Sequence, residues 1–190
     1  ALNVKQVSYQ YDALSKPIFT DLNIAVQPGE SVAIVGPSGV GKTTLLKVMS
    51  GLLMPTSGEI LAGGLDIHKI GLNNFRQSIA CVLQDDRLFS GSIADNICGF
   101  SPDANRELIM ACAVYSNIHH EIMSMPMGYE TLIGELGAGI SGGQKQRLFI
   151  ARALYRRPSI LFMDEATSHL DIENEKAINN AISSLKITRI

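Results

Sequence analysis

Short apolar runs alternate with helical patterns along the chain. Polar residues alternate with β-branched and aromatic ones in LNVKQVSYQY, which predicts a half-buried strand with Val7, Tyr9 and Tyr11 on one face. The glycine-bounded run SVAIVG predicts a buried strand, and KTTLLKVMSG after it predicts a helix that Gly51 closes. GEIL, IACVL and ILFM predict further strands, and ITRI predicts the start of another.

The middle of the chain has a different pattern. Between Leu83 and Ile140 it turns helical, and NRELIMACAVYSNIHHEIMSM carries apolar residues at helical spacing. Strands that alternate with helices predict an α/β domain with a mostly parallel sheet. The helical stretch then predicts a subdomain inserted into that domain.

Composition adds limits on the class of protein. With 190 residues, 46% hydrophobic and 18% charged, the chain is expected to form one globular domain with a substantial core. A protein with a net charge of -2 does not attract the negatively charged backbone of a nucleic acid, so no nucleic-acid partner is predicted. The clustered basic residues Lys145, Arg147, Arg152, Arg156 and Arg157 share one predicted helix, and we interpret most of them as a solvated face.

Cysteine usage and hydropathy concern the compartment. Cys81, Cys98 and Cys112 show no paired spacing, which favours neither a disulfide framework nor a zinc site and suits a reducing compartment. No apolar run approaches the ~18 residues that would cross a bilayer. The chain as given is expected to be soluble and, because it opens on Ala1 and stops within a β-prone stretch, to be a piece of something longer.

The segment GPSGVGKT fits the pattern of a phosphate-binding loop, and it lies between a predicted strand and a predicted helix. Gly36, Gly39 and Gly41 let the backbone wrap so that consecutive amides face a polyphosphate. Lys42 adds a positive charge, and the Thr43 hydroxyl can bind Mg²⁺. The sequence therefore predicts a nucleotide site here.

Two acids follow the predicted strand ILFM. Asp164 emerges at the strand end, where its carboxylate could reach the magnesium shell. Glu165 comes next, and adjacent residues on an extended backbone point in different directions. One acid could thus serve the metal while the other polarises a water for attack on the γ-phosphorus.

The stretch ISGGQKQRLFIARALYRR begins a predicted helix with two glycines. One explanation is local, because Ser141 and Gln144 have the spacing of a capping box. The other is that Gly142 and Gly143 leave the N–H groups of the helix start bare, so that a phosphate can approach closely. Both explanations are compatible with the sequence.

With these motifs the sequence resembles the nucleotide-binding domain of ATP-binding cassette (ABC) proteins over nearly its whole length. ISGGQ is similar to the family's signature motif, with Ile140 where leucine is usual. The resemblance implies a P-loop NTPase fold of ABC type, with a mostly parallel core, an N-terminal antiparallel β region and an inserted helical subdomain. It implies residues 1–84 and 141–190 as the ATP-binding core and 85–140 as the helical subdomain.

The resemblance also implies ligands and a partner. ATP and Mg²⁺ are the expected cofactors, and a second copy of the chain is the expected partner. In the family, the signature segment binds the γ-phosphate of ATP held by the phosphate loop of that second copy, so two copies close head to tail around two ATP molecules.

Other positions carry over one at a time. Tyr11 resembles the aromatic residue that stacks on adenine, although an ordinary strand tyrosine is the alternative. Gln84 resembles the glutamine that contacts magnesium and water. SHLD, ending at Asp171, resembles the loop that crosses the dimer interface, with His169 in place of the usual alanine and no catalytic role expected for it.

The predicted site residues form three groups. The predicted catalytic residues are Glu165, Lys42 and Gln84. The predicted magnesium ligands are Thr43, Gln84 and Asp164. The predicted nucleotide-binding residues are Tyr11, Gly36, Ser38, Gly39, Val40, Gly41, Lys42, Thr43, Thr44, Gln84, Asp164, Ser141, Gly142, Gly143, Gln144 and Asp171.

Two further stretches indicate the branch of the family. QDDRLFSGSIADNICGF resembles the segment after the glutamine in exporters, and GELGAG resembles the exporter loop that contacts the membrane domain. The residues of these stretches are most similar to those of bacterial peptide and bacteriocin exporters of the colicin V type. This implies a transmembrane domain as partner, in the same full-length chain, and a place at the cytoplasmic face of the bacterial inner membrane.

Alternatives remain at this point. A soluble ABC ATPase not coupled to transport would share the phosphate loop and the signature, and a regulatory module could bind nucleotide without hydrolysis. The family's γ-phosphate-sensing histidine is expected beyond ITRI, since His68, His119, His120 and His169 lie elsewhere in the pattern. We therefore expect the chain as given to bind ATP and to hydrolyse it weakly.

Overall fold

The structure, a computed structural model, describes residues 1–134, 139–166, 168 and 170–190. These residues divide into two compact units. The first unit comprises Ala1–Cys81, Ser159–Asp164 and Lys186–Ile190, and the second comprises Val82–Pro158 and Glu165–Leu185.

An antiparallel sheet forms the N-terminal part of the first unit. Its strands are β1 (Leu2–Tyr9), β2 (Phe19–Val26), β3 (Ser57–Ala62) and β4 (Leu65–Asp66), in the order β2-β1-β3-β4. The predicted strands LNVKQVSYQY and GEIL are confirmed. Tyr11, however, lies outside β1, so the expected shared strand face ends two residues earlier.

A second sheet joins β5 (Ile79–Val82), β8 (Ile160–Met163) and β9 (Thr188–Arg189), in the order β5-β8-β9. Strands β8 and β9 are parallel. Strand formation at IACVL, ILFM and ITRI is therefore confirmed. The inward side of β8 includes Phe162, which is fully buried in the core of the first unit, as the unbroken apolar run predicts.

The prediction of a strand at SVAIVG is wrong for most of its length. Only Ser31 forms a bridge, a parallel one to Arg189, and Val32 N–H donates to the Arg189 carbonyl at 2.9 Å. Val35 is 88% exposed. The physical reason is that a strand needs a neighbouring strand to pair with. The neighbour here, β9, has two residues, and within the described ranges no other strand offers backbone groups to residues 33–36. An apolar run alone does not make a strand when its neighbour is missing.

Helices complete the first unit. They are α1 (Lys42–Met49), α2 (Ile67–Ile70) and α3 (Leu72–Gln77). Helix α1 buries Leu45, Leu46, Val48 and Met49 in the same apolar core as the inward residues of β1 and β3. The helix predicted from KTTLLKVMSG is thus confirmed; Ser50 caps it, and Gly51 follows with a φ of +70°.

The second unit is mainly helical. In chain order its elements are β6 (Gly91–Ser92), α4 (Ile93–Cys98), α5 (Arg106–Tyr115), α6 (His119–Ser124), a 3₁₀ turn (Gly128–Glu130), β7 (Leu132–Ile133), α7 (Gly142–Tyr155) and α8 (Ile172–Ser184). Helix α7 packs against α4 and α5, and α5 also contacts α8. The expected helical middle is confirmed. In the described part of the chain, no helix is both long and apolar enough to span a membrane.

Among the clustered basic residues on α7, Arg147 is buried and Arg152 is partly buried, so the interpretation of most of them as a solvated face does not extend to these two. Arg147 is 5% exposed. Arg152 donates to the Asn96 carbonyl and to Asn96 Oδ1, both at 2.8 Å, and its guanidinium lies 5.4 Å from the Phe89 ring centre. Desolvation, partly opposed by Asp86, lowers the pKa of Arg152. Helical spacing identified the face, but it could not show what packs against it.

Candidate functional site

Helix α1 begins without a side-chain cap. Its N-cap is Gly41, and its first helical bond runs from Leu45 N–H to the Gly41 carbonyl at 2.8 Å. The amides of Lys42, Thr43 and Thr44 therefore have no acceptor within the helix. A residue such as Ser at the N-cap would satisfy one of them and would stabilise the helix by roughly 1 kcal/mol. The bare start instead leaves these donors for a ligand.

Gly41 is required at this position for two reasons. Its φ is +100°, and a Cβ added there would overlap the Cγ2 methyl of Ile18. Ile18 is fixed by its own amide, which donates to the Tyr9 carbonyl at 2.8 Å. Ile18 is thus packed against the phosphate loop, and sequence reasoning missed it because it lies in a connection that carries no motif.

Lys42 closes the loop on itself. Its Nζ donates to the carbonyls of Gly36 and Pro37, both at 2.9 Å. An ammonium has three donors, so one remains, and the two carbonyl bonds are of a kind that phosphate oxygens can replace. Gly39 lies on the same loop with a φ of +78°. The remaining predicted loop residues, Ser38 and Val40, are exposed.

Tyr11 lies at the start of α1. Its hydroxyl is 3.1 Å from Thr44 Oγ1, and its ring meets the Tyr9 ring edge-on at 5.2 Å. Tyr11 is 63% exposed whereas Tyr9 is 7% exposed. The alternative of an ordinary strand tyrosine does not hold, because β1 ends at Tyr9. The geometry leaves the Tyr11 ring free to stack on a planar ligand beside the loop.

Asp164 has an unusual environment at the end of β8. It is 5% exposed, and its Oδ2 is buried without a hydrogen-bond partner among the described residues. A buried carboxylate oxygen without a donor is costly, and a divalent cation would satisfy it. The donor set fits Mg²⁺, which is typically held by one or two carboxylates together with phosphate oxygens. Thr43, in the same unit, provides a hydroxyl of the kind that such sites use.

Glu165 lies in a turn. The expectation of an extended backbone at this residue is wrong, because its φ is +51°, a left-handed conformation that costs about 1–2 kcal/mol for a residue with a Cβ. Its carbonyl accepts from Ser168 N–H at 3.0 Å and from Gln146 Nε2 at 3.3 Å. The side chain is exposed. Helix α7 therefore holds the turn through Gln146, and the carboxylate stays available for chemistry.

The start of α7 confirms the predicted capping box. Gln144 N–H donates to Ser141 Oγ at 3.2 Å, and Ser141 N–H donates to Gln144 Oε1 at 2.9 Å. The box uses the amides of those two residues. The amides of Gly142 and Gly143 remain without an acceptor inside the helix. The two explanations of this stretch are thus compatible, since the box orders the helix start and two donors remain for a phosphate.

Gln84 lies in an exposed turn after β5. Asp86 N–H donates to the Leu83 carbonyl at 3.1 Å, and Asp86 Oδ2 accepts from Leu83 N–H at 3.0 Å. Burial raises the pKa of Asp86, and the bond from Leu83 and the charge of Arg152 oppose that rise. The turn leaves the Gln84 side chain exposed.

Asp171 caps α8. Its carboxylate accepts from Asn174 N–H at 2.8 Å and from Asn174 Nδ2 at 2.7 Å, and these bonds hold the pKa of Asp171 below its usual range. His169, in the same predicted loop, lies outside the described residues. So do residues 135–138 of GELGAG, the predicted contact with the membrane domain.

Asn96 holds the loop within the segment LFSGSIADNI that precedes α4, and the sequence motifs did not predict this role. Ser92 and Asp95 form a capping box at the start of α4. Asn96 Nδ2 donates to the carbonyls of Phe89 and Ser92 at 2.9 and 3.0 Å, and its Oδ1 accepts from Phe89 N–H at 2.9 Å. Asn96 thus replaces backbone partners for the loop before the helix. An asparagine directly after the spacing of a capping box could have indicated this role, because an amide side chain both donates and accepts.

Comparison with known proteins places these features in context. The family model described as ABC transporter matches residues 19–168. The chain is 62% identical to the colicin V secretion/processing ATP-binding protein of Escherichia coli over 190 residues, which is 100% of this chain and 27% of that protein. A probable microcin secretion/processing ATP-binding protein of the same species is 60% identical, with the same coverage. The chain therefore spans about a quarter of the length of these curated relatives.

A solved structure supports the fold. A bacterial Atm1-family ABC exporter with ATP bound superposes with a TM-score of 0.93 at 36% identity, covering 99% of this chain and 33% of that chain. The predicted fold class, an ABC-type α/β fold with an N-terminal antiparallel sheet and a parallel core, is confirmed.

Asp164→Asn tests the proposed cation ligand. We expect the variant to need about ten-fold or more Mg²⁺ to gain the extra thermal stability that Mg²⁺ adds to the ATP-bound chain, because the uncompensated carboxylate oxygen is gone. In EDTA, ATP should stabilise both proteins equally. Thermal unfolding with ATP over a Mg²⁺ titration measures this, with Asp103→Asn in an exposed turn as control. An unchanged Mg²⁺ requirement would contradict the assignment.

Proposed function

The chain belongs to the ABC transporter family, and from this premise we propose that it is the ATP-binding and ATP-hydrolysing motor domain of an exporter. The observation that carries the proposal is the start of α7, where a capping box leaves two glycine amides open beside a helix N-terminus. Such a start attracts a phosphate through its free donors and its positive dipole end.

The first unit supplies one half of the ATP site. The bare amides at the start of α1 and the ammonium of Lys42 bind the phosphates, while Tyr11 stacks on the adenine. The contact of the Tyr11 hydroxyl with Thr44, 3.1 Å between oxygens, supports this because it holds the ring beside the loop. Stacking of a base on an aromatic ring contributes roughly 1–3 kcal/mol.

The signature segment supplies the other half, to a second copy of the chain. Two copies pair head to tail, so that Ser141 and the amides of Gly142 and Gly143 receive the γ-phosphate held by the partner's phosphate loop. The γ-phosphate contacts these donors only in the closed pair, so ATP favours closure and its hydrolysis removes that preference. Gln144 keeps the helix start ordered, and Asp171 lies at the same interface.

The remaining residues carry the chemistry. Glu165 acts as the general base toward the attacking water, and Gln84 orients that water. Thr43, Asp164 and Gln84 would hold Mg²⁺, which supplies charge stabilisation to the phosphates. The exposed side chain of Glu165 supports the assignment, because a general base must be able to reach a water molecule.

The relatives support a role in export. The curated proteins named above are described as secretion/processing ATP-binding proteins, and the superposed structure is described as an exporter. The second unit exposes Phe89 and Phe100, whose rings lie 6.2 Å apart, and adjacent exposed aromatic rings suit an apolar partner surface. The partner is a transmembrane domain carried by the same full-length chain, at the cytoplasmic face of the bacterial inner membrane.

The domain organisation follows the same proposal. Residues 1–84 and 141–190 form the ATP-binding core, and 85–140 form the helical subdomain that meets the membrane domain.

The cargo is a peptide or bacteriocin-like molecule.

Glu165→Gln tests the paired mechanism. We expect hydrolysis to fall by about 10²–10⁴-fold, because the general base is lost while neutral hydrogen bonding remains. ATP-bound pairs should then accumulate, and light scattering after size exclusion should show twice the monomer mass with ATP and the monomer mass without it. Glu130→Gln, exposed in the second unit, is the control. A Glu165→Gln chain that stays monomeric at high concentration with ATP bound would count against pairing.

Peptide stimulation tests the cargo. In the complete protein in membranes, ATP hydrolysis should rise on addition of a bacteriocin-type peptide and should not respond to unrelated peptides of the same length and charge. A rate that no bacteriocin-type peptide changes would count against a peptide cargo.

A further inference from the structure

Glu121 on α6 faces the start of α7, although no motif marks it in the sequence. Its Oε2 accepts from Gln144 Nε2 at 2.9 Å, and its Oε1 accepts from Arg147 Nη1 at 2.5 Å. All three residues belong to the second unit. One carboxylate thus contacts both the capping residue of the signature helix and a buried arginine on its first turns.

The carboxylate of Glu121 decides which way the Gln144 amide points. An ionised carboxylate only accepts hydrogen bonds, so the nitrogen of Gln144 must face Glu121. The oxygen of the amide then faces Ser141 N–H, 2.9 Å away. A flipped amide would oppose two donors at Ser141 and two acceptors at Glu121, so both bonds would be lost together.

The charge on Glu121 is secured by its partners. Burial raises the pKa of Glu121, but the hydrogen bonds from Arg147 and Gln144 and the charge of Arg147 outweigh it and hold that pKa below its usual range, against an opposing effect of Asp171. The carboxylate is therefore ionised at neutral pH and acts as an acceptor only.

Arg147, which is bonded to Glu121, also contacts the backbone at the start of α7. Its Nε donates to the Gly143 carbonyl at 3.2 Å, and its Nη1 donates to the Asn117 carbonyl at 2.8 Å. Because Arg147 is nearly fully buried, its charge needs a counter-ion. Glu121 is the carboxylate bonded to it in the described part of the chain.

The network continues to the start of α8. Asn117 Nδ2 donates to Asn174 Oδ1 at 2.8 Å, and Arg147 Nη1, whose two N–H groups serve Glu121 and the Asn117 carbonyl, lies 3.4 Å from the same oxygen in a shared, weaker contact. Asn174 in turn donates to the cap residue Asp171. Two predicted nucleotide-contacting positions, Ser141 and Asp171, are thus joined through side chains within one unit.

We propose that Glu121 is a positioning residue for the signature segment. Through Gln144 and Arg147 it orients the helix start so that the amides of Gly142 and Gly143 receive the γ-phosphate. Glu121 itself touches no phosphate. The inference rests on the proposed function, because the phosphate in question is that of the partner's ATP.

Glu121→Gln is the first test, made in the Glu165→Gln background so that ATP is not consumed. A glutamine carries both a donor and an acceptor and no longer enforces one orientation of Gln144. ATP binding to the monomer should change less than about two-fold, because Gln144 and Arg147, to which Glu121 is bonded, are not part of the phosphate loop. The ATP concentration that drives pairing should rise about ten-fold, the effect expected from losing bonds to a charged group. Glu107→Gln, exposed on α5, should change neither.

A second substitution separates positioning from a general structural role. Gln144→Glu alone sets two carboxylates against each other and should weaken pairing. Adding Glu121→Gln should partly restore pairing, since the amide that this substitution introduces then donates to the new carboxylate while that carboxylate still accepts from Ser141 N–H. The change at position 121 is thus harmful in one background and beneficial in the other. Additive losses in the double variant would overturn the proposal.

The outcomes distinguish the inference from the function it rests on. Equal pairing by the Glu165→Gln chain and its Glu121→Gln derivative overturns the positioning role alone. If the former binds ATP and never pairs, the proposed function fails, and the amide exchange rates of Gly142 and Gly143 decide the inference: a change caused by Glu121→Gln supports it, and identical rates overturn it. Should Glu121→Gln fail to fold, Glu121→Asp keeps the acceptor-only carboxylate and should retain most of the pairing, whereas Glu121→Ala should not.

Discussion

Both proposed phosphate sites depend on backbone amides at the starts of two helices. Every α-helix leaves its first N–H groups without internal partners, and this chain treats the two starts differently. Helix α1 has no side-chain cap, so its first donors are left for an acceptor outside the helix. Helix α7 has a capping box that uses two donors and leaves those of Gly142 and Gly143. In the proposed mechanism, the first start binds the phosphates of a nucleotide, and the second, which the capping box keeps ordered, meets the γ-phosphate held by a second copy.

The side chains of α7 connect that edge to other parts of the second unit. Gln146 holds the turn at Glu165, and Arg147 and Gln144 bond Glu121 on α6. Because buried charged groups are stable only when paired and hydrogen-bonded, Arg147 makes the network cooperative: displacement of one member leaves the others unsatisfied. The helix that carries the signature is therefore also the element that holds the predicted general base and, through Asn174, the start of α8.

Much of the fold and the capping box at the start of α7 were predictable because their signals are local. The spacing of hydrophobic residues predicted β1, β8 and α1, and the S-x-x-Q spacing predicted the capping box. Contacts between residues far apart in sequence were not predictable: Ile18 packs on Gly41 from an unmarked connection, and Arg147 is buried although its spacing suits a solvated face. The strand expected at SVAIVG failed for a related reason, since strand formation depends on a partner with which to pair and β9 reaches only Ser31.

Nuclear magnetic resonance on a mixed pair can show whether the amides of Gly142 and Gly143 bind the γ-phosphate of a second copy. One copy carries Lys42→Ala, which removes its own phosphate binding, and glycine labelled with a nitrogen isotope; the other is unlabelled Glu165→Gln. The two glycine resonances should shift on addition of ATP and Mg²⁺ only when the unlabelled copy is present. Resonances that stay unmoved in the mixture, or that shift equally without the partner, would contradict this binding.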